Sequence, residues 1–137
     1  MCIILDANLF GNFDDPHNED MRPVHRWLSK QNGKIVYSDT SKFRDEWMKG
    51  GNVLLERLRQ DGSLRLVPRA DVEQIERSLE GTIQSDDEHI VALALVADVR
   101  VLVSNDKALH QDFKCIVRGK VYQTKSHAHL LRRDTCP

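Results

Sequence analysis

The chain has 137 residues, of which 40% are hydrophobic and 30% are charged, and its formal net charge is −1. This length suits one domain with a single core and is short for two. No apolar run approaches the ~20 residues of a membrane-spanning helix, so we expect no membrane association. The net charge lacks the basic excess typical of nucleic-acid-binding proteins, but it allows an acidic pocket that is balanced by basic residues elsewhere.

The N-terminus favours a cytoplasmic location, and the number and spacing of the cysteines favour reduced thiols. The first residues, Cys2–Asp6, lack the basic flank and the cleavage pattern of a signal peptide. The three cysteines are Cys2, Cys115 and Cys136, and no two of them form a CxxC pair. We therefore interpret them as reduced thiols and predict neither a disulfide framework nor a zinc site.

Short apolar strands alternate with amphipathic helices along the chain, which predicts βαβ units and a parallel sheet. The predicted strands are Cys2–Leu5, Lys34–Tyr37, Leu64–Val67, Val101–Val103 and an edge strand near Cys115–Val117. The predicted helices lie at Val24–Leu28, Phe43–Met48, Val53–Leu58, Val72–Leu79, Ile90–Ala97 and Lys107–Phe113, and from Ser126 onwards. We find no repeat and no linker, so a single domain is expected over residues 1–137.

Two glycines and one motif indicate where helices end and begin. Gly33 is expected to be a left-handed residue that ends the helix before it, and Gly81 is expected to close the helix Val72–Leu79. Ser85–Glu88 fits a capping box, in which Ser85 accepts a hydrogen bond from the amide of Glu88. Because every residue of Ile90–Ala97 is apolar, the helix that follows has no solvent face there and is expected to be central.

Acidic residues lie where an open parallel sheet builds its binding sites, at the carboxyl ends of strands and at the adjoining helix starts. They are Asp6 after the first strand, Glu46 on a helix after the second strand, Asp86 and Asp87 at the start of the central helix, and Asp106 after the fourth strand. Strands one and four can be neighbours in such a sheet. Asp6 and Asp106 are then expected to face each other.

Such a cluster favours a bound metal. Two carboxylates ~5 Å apart repel by ~3 kcal/mol at an effective dielectric constant near 20. Mg²⁺ or Mn²⁺ bound by oxygen removes this penalty, and either suits an Asp/Glu site without His or Cys. A metal held there can activate water and stabilise charge at a phosphodiester. Each acid alone also fits an ordinary role as a turn, helix-start or solvated residue.

Four motifs occur in order across about residues 2–117. They are an Asp ending the first strand (Ile3–Asn8), a Glu on a helix some forty positions later (Thr40–Glu46), an Asp opening an alanine-rich helix (Asp87–Ala94) and a strand ending in Ser-x-Asp (Val103–Leu109). In this combination the chain resembles the PIN-domain family of ribonucleases.

The resemblance implies a fold, an activity and a set of site residues. The fold is a three-layer α/β/α sandwich with a central, mostly parallel sheet, and the activity is that of an endoribonuclease dependent on Mg²⁺ or Mn²⁺. The implied catalytic and metal-binding residues are Asp6, Glu46, Asp87 and Asp106, with Asn8 and Ser104 as hydrogen-bonding support. The implied substrate is RNA. An antitoxin protein as partner of a PIN-type toxin, and a homodimer, are both compatible with the resemblance.

Two positions leave alternatives open. The family often has a further acid two positions after the Asp of the fourth motif, where this chain has Ala108. Asp112, one helical turn later, either replaces that acid or is simply exposed. Asp87 is preferred to Asp86 as the ligand, because its spacing to the alanines of the helix matches the family pattern.

The main alternative function is a non-catalytic PIN-like module that binds RNA or protein and keeps part of the acidic cluster. A phosphatase or receiver-type domain is disfavoured because no Gly-rich phosphate loop is found. His127 and His129 have an HxH spacing that can bind metal, although histidines on a terminal helix more often face solvent. Lys42 and Lys107 flank the acidic residues and suit phosphate contacts as well as solubility.

Overall fold

The computed structural model describes residues 2–132, which form one five-stranded sheet with every neighbouring pair of strands parallel. The strands are β1 (Ile3–Leu5), β2 (Ile35–Tyr37), β3 (Leu64–Leu66), β4 (Val101–Val103) and β5 (Lys120–Tyr122). Their spatial order is β3-β2-β1-β4-β5. The α/β class and the parallel sheet of a three-layer sandwich are thereby confirmed.

Helices connect the strands and cover the sheet. They are α1 (Phe10–Asp14), α2 (Arg22–Lys30), α3 (Ser41–Gly50), α4 (Asn52–Gln60), α5 (Arg69–Leu79), α6 (Glu88–Ala97) and α7 (Lys107–Asp112), with 3-10 helices at Ala7–Leu9 and Lys125–Leu130. Every residue of β1, β2 and β4 is buried, as expected for strands covered on both faces. Within residues 2–132, no helix is both long enough and apolar enough to cross a bilayer.

Helix α6 is central, as its composition predicts. Its residues Ile90–Ala94 are at most 1% exposed, and it packs closely against α5. The helix ends at Asp98, whose φ of 54° is left-handed, and the chain then enters β4. The first residue of α6 therefore lies near the carboxyl edge of the sheet, where the acidic motifs were expected to meet.

The strand order places a crevice between β1 and β4. Along the chain the sheet grows from β1 through β2 to β3, and it then restarts on the other side of β1 with β4. At such a switch point the connecting segments diverge to opposite faces, which opens a cleft at the carboxyl ends of the two strands. Leu5 pairs with Val103 at this end, so the residues that follow these two strands are neighbours.

The predicted edge strand at Cys115–Val117 is wrong. These residues belong to a π-helical turn, Phe113–Val117, that continues α7. The chain reverses at Arg118, with φ 61°, and at Gly119, where a Cβ atom would lie 2.3 Å from the Phe113 ring. The strand begins only at Lys120. At the C-terminal side, the helix predicted from Ser126 is a 3-10 helix.

Two of the three predicted helix boundaries need correction. After α2 the left-handed residue is Asn32, with φ 56°, whereas Gly33 is required because the Trp27 ring occupies the space of a Cβ atom, 2.3 Å away. The capping box is also wrong, because Ser85 Oγ accepts from the amide of Asp87, at 3.3 Å. Gly81, with φ 75°, lies two residues after α5 and closes that helix as predicted.

The interpretation of all three cysteines as reduced thiols is wrong for Cys2, which is disulfide-bonded. Cys115 is a free and exposed thiol, and Cys136 lies outside the described residues.

Candidate metal centre

Asp6 follows β1 and lies in the cleft, with 6% of its surface exposed. The hydroxyl of Ser104, which follows β4, donates a hydrogen bond of 2.6 Å to Asp6 Oδ2 and accepts one of 3.1 Å from the amide of Asp106. Asn8 Oδ1 accepts from the amide of Asn105, at 3.5 Å. The two strand ends are thus joined through side chains. We call Asp6, Ser104 and Asp106 the strand half of the site.

Asp106 has a second role as the cap of α7. Its Oδ1 accepts hydrogen bonds from the amides of Ala108 and Leu109, at 3.0 and 3.2 Å. An Asp at this position satisfies amides that a helix start leaves without partners. Nε2 of the buried His110 lies 2.6 Å from the carbonyl oxygen of Ser104 and holds the same loop.

The other side of the cleft is formed by helix residues. Glu46 comes from α3, Asp87 is the residue before α6, and His89 is in the first turn of α6. Their ligand-type atoms all lie within 4.8 Å of one another, and Nε2 of His89 is 2.8 Å from Oε1 of Glu46. We call Glu46, Asp87 and His89 the helix half.

The electrostatics bring the two halves into one cluster. Burial raises the pKa of Asp6, the Ser104 hydrogen bond opposes this, and the charges of Glu46 and Asp106 raise it further. Burial likewise raises the pKa of Asp87 to about 6, where the imidazole of His89 acts to lower it and the charges of Asp6 and Glu46 add to the rise. Asp6 is thus within electrostatic reach of the other three acids expected from the motifs, Glu46, Asp87 and Asp106. Carboxylates that are buried close to other carboxylates tend to bind either a proton or a cation, because each of these removes the repulsion.

The structure distinguishes the paired aspartates. Asp86 is exposed, and its carbonyl oxygen, rather than its carboxylate, contacts Nζ of Lys42. Asp87 is the member of the pair that groups with Glu46 and His89. Lys42 is close enough to lower the pKa of Asp87 by its charge.

Asp112 is neither a replacement for the acid missing at Ala108 nor an exposed residue. It is 4% exposed, and its two carboxylate oxygens accept hydrogen bonds from the amides of Gln84 and Ser85, at 2.9 and 2.8 Å. Burial acts to raise its pKa, but the hydrogen bonds outweigh burial and the net pKa is lowered. Asp112 therefore positions the segment that leads into Asp87.

His89 is the site residue that the sequence interpretation missed. A signal was present, since it is a histidine directly before the apolar run of α6, two residues after the motif Asp.

Two buried hydroxyls after β2, Ser38 Oγ and Thr40 Oγ1, also lack hydrogen-bond partners among residues 2–132. The HxH pair is different, because Nδ1 of His127 is used by the amides of Gln123 and Thr124.

The donor set fits a divalent cation. It contains the carboxylate oxygens of Glu46 and Asp87 and one imidazole nitrogen, that of His89. Oxygen and imidazole donors in this proportion bind divalent ions in proteins.

Comparison of the chain with protein-family models, with curated proteins and with solved structures finds no match. The resemblance to PIN domains therefore rests on the four sequence motifs, and it remains a prediction.

Proposed function

We propose that this protein is a metal-dependent endoribonuclease that resembles PIN-domain enzymes and uses Asp6, Glu46, Asp87 and Asp106 as its acidic site. The single observation that supports this most strongly is that Asp6, at the switch point between β1 and β4, lies within electrostatic reach of Glu46, Asp87 and Asp106. A cluster of several carboxylates at the switch point of a parallel sheet is suited to binding a divalent ion together with a phosphate-containing ligand.

A divalent ion held in the cluster would activate a water molecule and stabilise the charge that develops at a phosphodiester, leaving a 5′-phosphate. The residues of the chain have separate tasks in this proposal. Asp6, Glu46, Asp87 and Asp106 would hold the ion, and Ser104 orients the Asp6 carboxylate through its 2.6 Å hydrogen bond. Lys42 and Lys107 are exposed beside the cluster and contact RNA phosphates by charge.

The first experiment tests metal-dependent cleavage directly. Purified protein is incubated with a mixture of RNA substrates in Mn²⁺ and, separately, in excess chelator. We expect cleavage with Mn²⁺ and none with chelator. Identical cleavage under both conditions would contradict the proposal, and RNA binding without cleavage would favour the non-catalytic module.

Variants locate the activity in the acidic cluster. Asp6→Asn and Asp106→Asn should each reduce the cleavage rate by roughly a hundredfold or more, because metal-assisted stabilisation of the transition state amounts to several kcal/mol. Asp87→Asn should behave in the same way. Asp86→Asn is the matched control, since it is the adjacent acid with an exposed side chain. Equal losses in the Asp86 and Asp87 variants would contradict the assignment.

A further inference from the structure

His89 is a polar residue in a place where the fold otherwise requires apolar ones. Its side chain is 0% exposed, and the eight residues that follow it, Ile90–Ala97, are all apolar. The ring of Phe43 packs edge-on against it at 5.9 Å. The imidazole ring of His89 is therefore out of contact with bulk water.

Neither nitrogen of this ring has a hydrogen-bond partner among residues 2–132. A neutral imidazole always has one donor and one acceptor, so burying both without partners costs free energy. Two other histidines that turn towards the protein behave differently. Nε2 of His110 lies 2.6 Å from the Ser104 carbonyl oxygen, and Nε2 of His25 lies 2.6 Å from that of Phe13.

The position of Nε2 explains the missing partners. It lies 2.8 Å from Oε1 of Glu46, in an orientation that forms no hydrogen bond, and both groups share the cluster with Asp87. Two donors bound at right angles to one ion, each ~2.0–2.1 Å from it, are separated by about 2.9 Å. The nitrogen–oxygen distance fits neighbouring ligands of a common ion as well as an ion pair between the two side chains.

We propose that His89 is itself a metal ligand, so that Glu46, Asp87 and His89 form a mixed nitrogen–oxygen site that selects Mn²⁺ over Mg²⁺. Mg²⁺ prefers a shell made only of oxygen, whereas imidazole nitrogen suits transition metals. This inference rests on the metal site of the proposed function but is independent of RNA as the substrate. Either Mg²⁺ or Mn²⁺ was expected from the sequence, because a site without histidine was assumed. A histidine ligand favours Mn²⁺ of the two.

The test compares the wild-type protein with His89→Leu and with the control His129→Gln. Leucine fills a similar volume and has no ligand atom, and His129 is exposed. Dissociation constants for Mn²⁺ and Mg²⁺ are measured by calorimetry, and pulsed EPR of the Mn²⁺-loaded protein detects coupling to a directly bound ¹⁴N nucleus.

We expect the wild type to bind Mn²⁺ more tightly than Mg²⁺ and to show the nitrogen coupling. His89→Leu should bind Mn²⁺ at least about 10–100-fold more weakly. This is the loss seen when outer-shell partners of metal ligands are removed, and a direct ligand should matter at least as much. Its Mg²⁺ affinity should change much less, and the coupling should disappear. His129→Gln should match the wild type in every measurement.

Two results would overturn the inference. One is Mn²⁺-loaded wild type without nitrogen coupling, a measurement that requires no variant and so does not depend on the folding of His89→Leu. The other is a lower metal-free melting temperature in His89→Leu with unchanged Mn²⁺ affinity, which identifies a structural ion pair between His89 and Glu46.

The outcomes separate this inference from the proposed function. Mn²⁺ bound with nitrogen coupling, in a protein that cleaves no RNA, supports the ligand role and contradicts the ribonuclease. RNA cleavage that requires Mn²⁺, in a protein whose bound Mn²⁺ shows no nitrogen coupling, supports the ribonuclease and contradicts the ligand role of His89.

Discussion

The strand half and the helix half of the site are built on different principles. In the strand half, Ser104 donates to Asp6 and accepts from the amide of Asp106, whose carboxylate in turn caps α7. In the helix half, Glu46, Asp87 and His89 crowd together, and neither nitrogen of His89 has a hydrogen-bond partner among residues 2–132.

This difference indicates which parts of the site depend on a ligand. Hydrogen bonds within the protein are sufficient to hold the strand half in place. The helix half contains adjacent carboxylates and a buried imidazole without hydrogen bonds, an arrangement that a cation stabilises. A polar group removed from the strand half should therefore destabilise the metal-free protein, whereas a charge removed from the helix half should stabilise it.

Metal addition is expected to have the largest effect on stability. An ion that binds only the folded state, at a hundredfold excess over its dissociation constant, raises the free energy of unfolding by about 2.7 kcal/mol. Thermal melts with Mn²⁺ and with chelator measure this gain. Asp6→Asn and Asp87→Asn should gain much less, and Asp86→Asn should gain as much as the wild type. Equal gains in all four proteins would show that these acids share no metal site.

Loss of the Ser104 hydroxyl should be the next largest effect, in the opposite direction. Ser104→Ala leaves the buried Asp6 carboxylate and the Asp106 amide without this partner. A hydrogen bond to a charged group contributes about 1.5–3 kcal/mol. Urea unfolding of the metal-free protein should show a loss of this size. Ser78→Ala, at an exposed serine, is the control and should stay within about 0.5 kcal/mol of the wild type.

Removal of the Asp87 charge should give the smallest effect, a gain in the metal-free protein. Because the pKa of folded Asp87 is raised from 3.8 to about 6, the folded state holds this proton more tightly than the unfolded chain. Asp87 thus lowers stability as pH rises from about 4 to about 6, and its unfavourable contribution is complete above that window.

Asp87→Asn should therefore raise the free energy of unfolding by ~1–2 kcal/mol at pH 7, after screening by solvent, and by little at pH 4. Unfolding in chelator at both pH values, with Asp86→Asn as the control, measures this. A gain that does not depend on pH, or a loss at pH 7, would exclude the buried charge of Asp87 as the cause.

The apolar strands and the acids that follow them could be predicted from local pattern. Ile3–Leu5 and Val101–Val103 are short apolar runs, and a polar residue after such a run marks the carboxyl end of a strand. Edge strand β5 could not be located in this way, because only Tyr122 of its three residues is buried. The more apolar segment Cys115–Val117 was predicted to be the strand instead. In the structure it continues α7 as a helical turn that ends before Gly119, which lies against the Phe113 ring.

Sequence by itself determined that Asp6 and Asp106 lie at one edge of the sheet, because parallel strands end at the same edge whatever side chains surround them. Tertiary structure decided what the neighbouring polar residues do. Asp112 was expected to join the site or to face solvent, and His89 was taken as part of a helix start. Packing of α6 and α7 buries both and removes water as a partner. Asp112 then bonds the amides before Asp87, whereas His89 is directed into the acidic cluster.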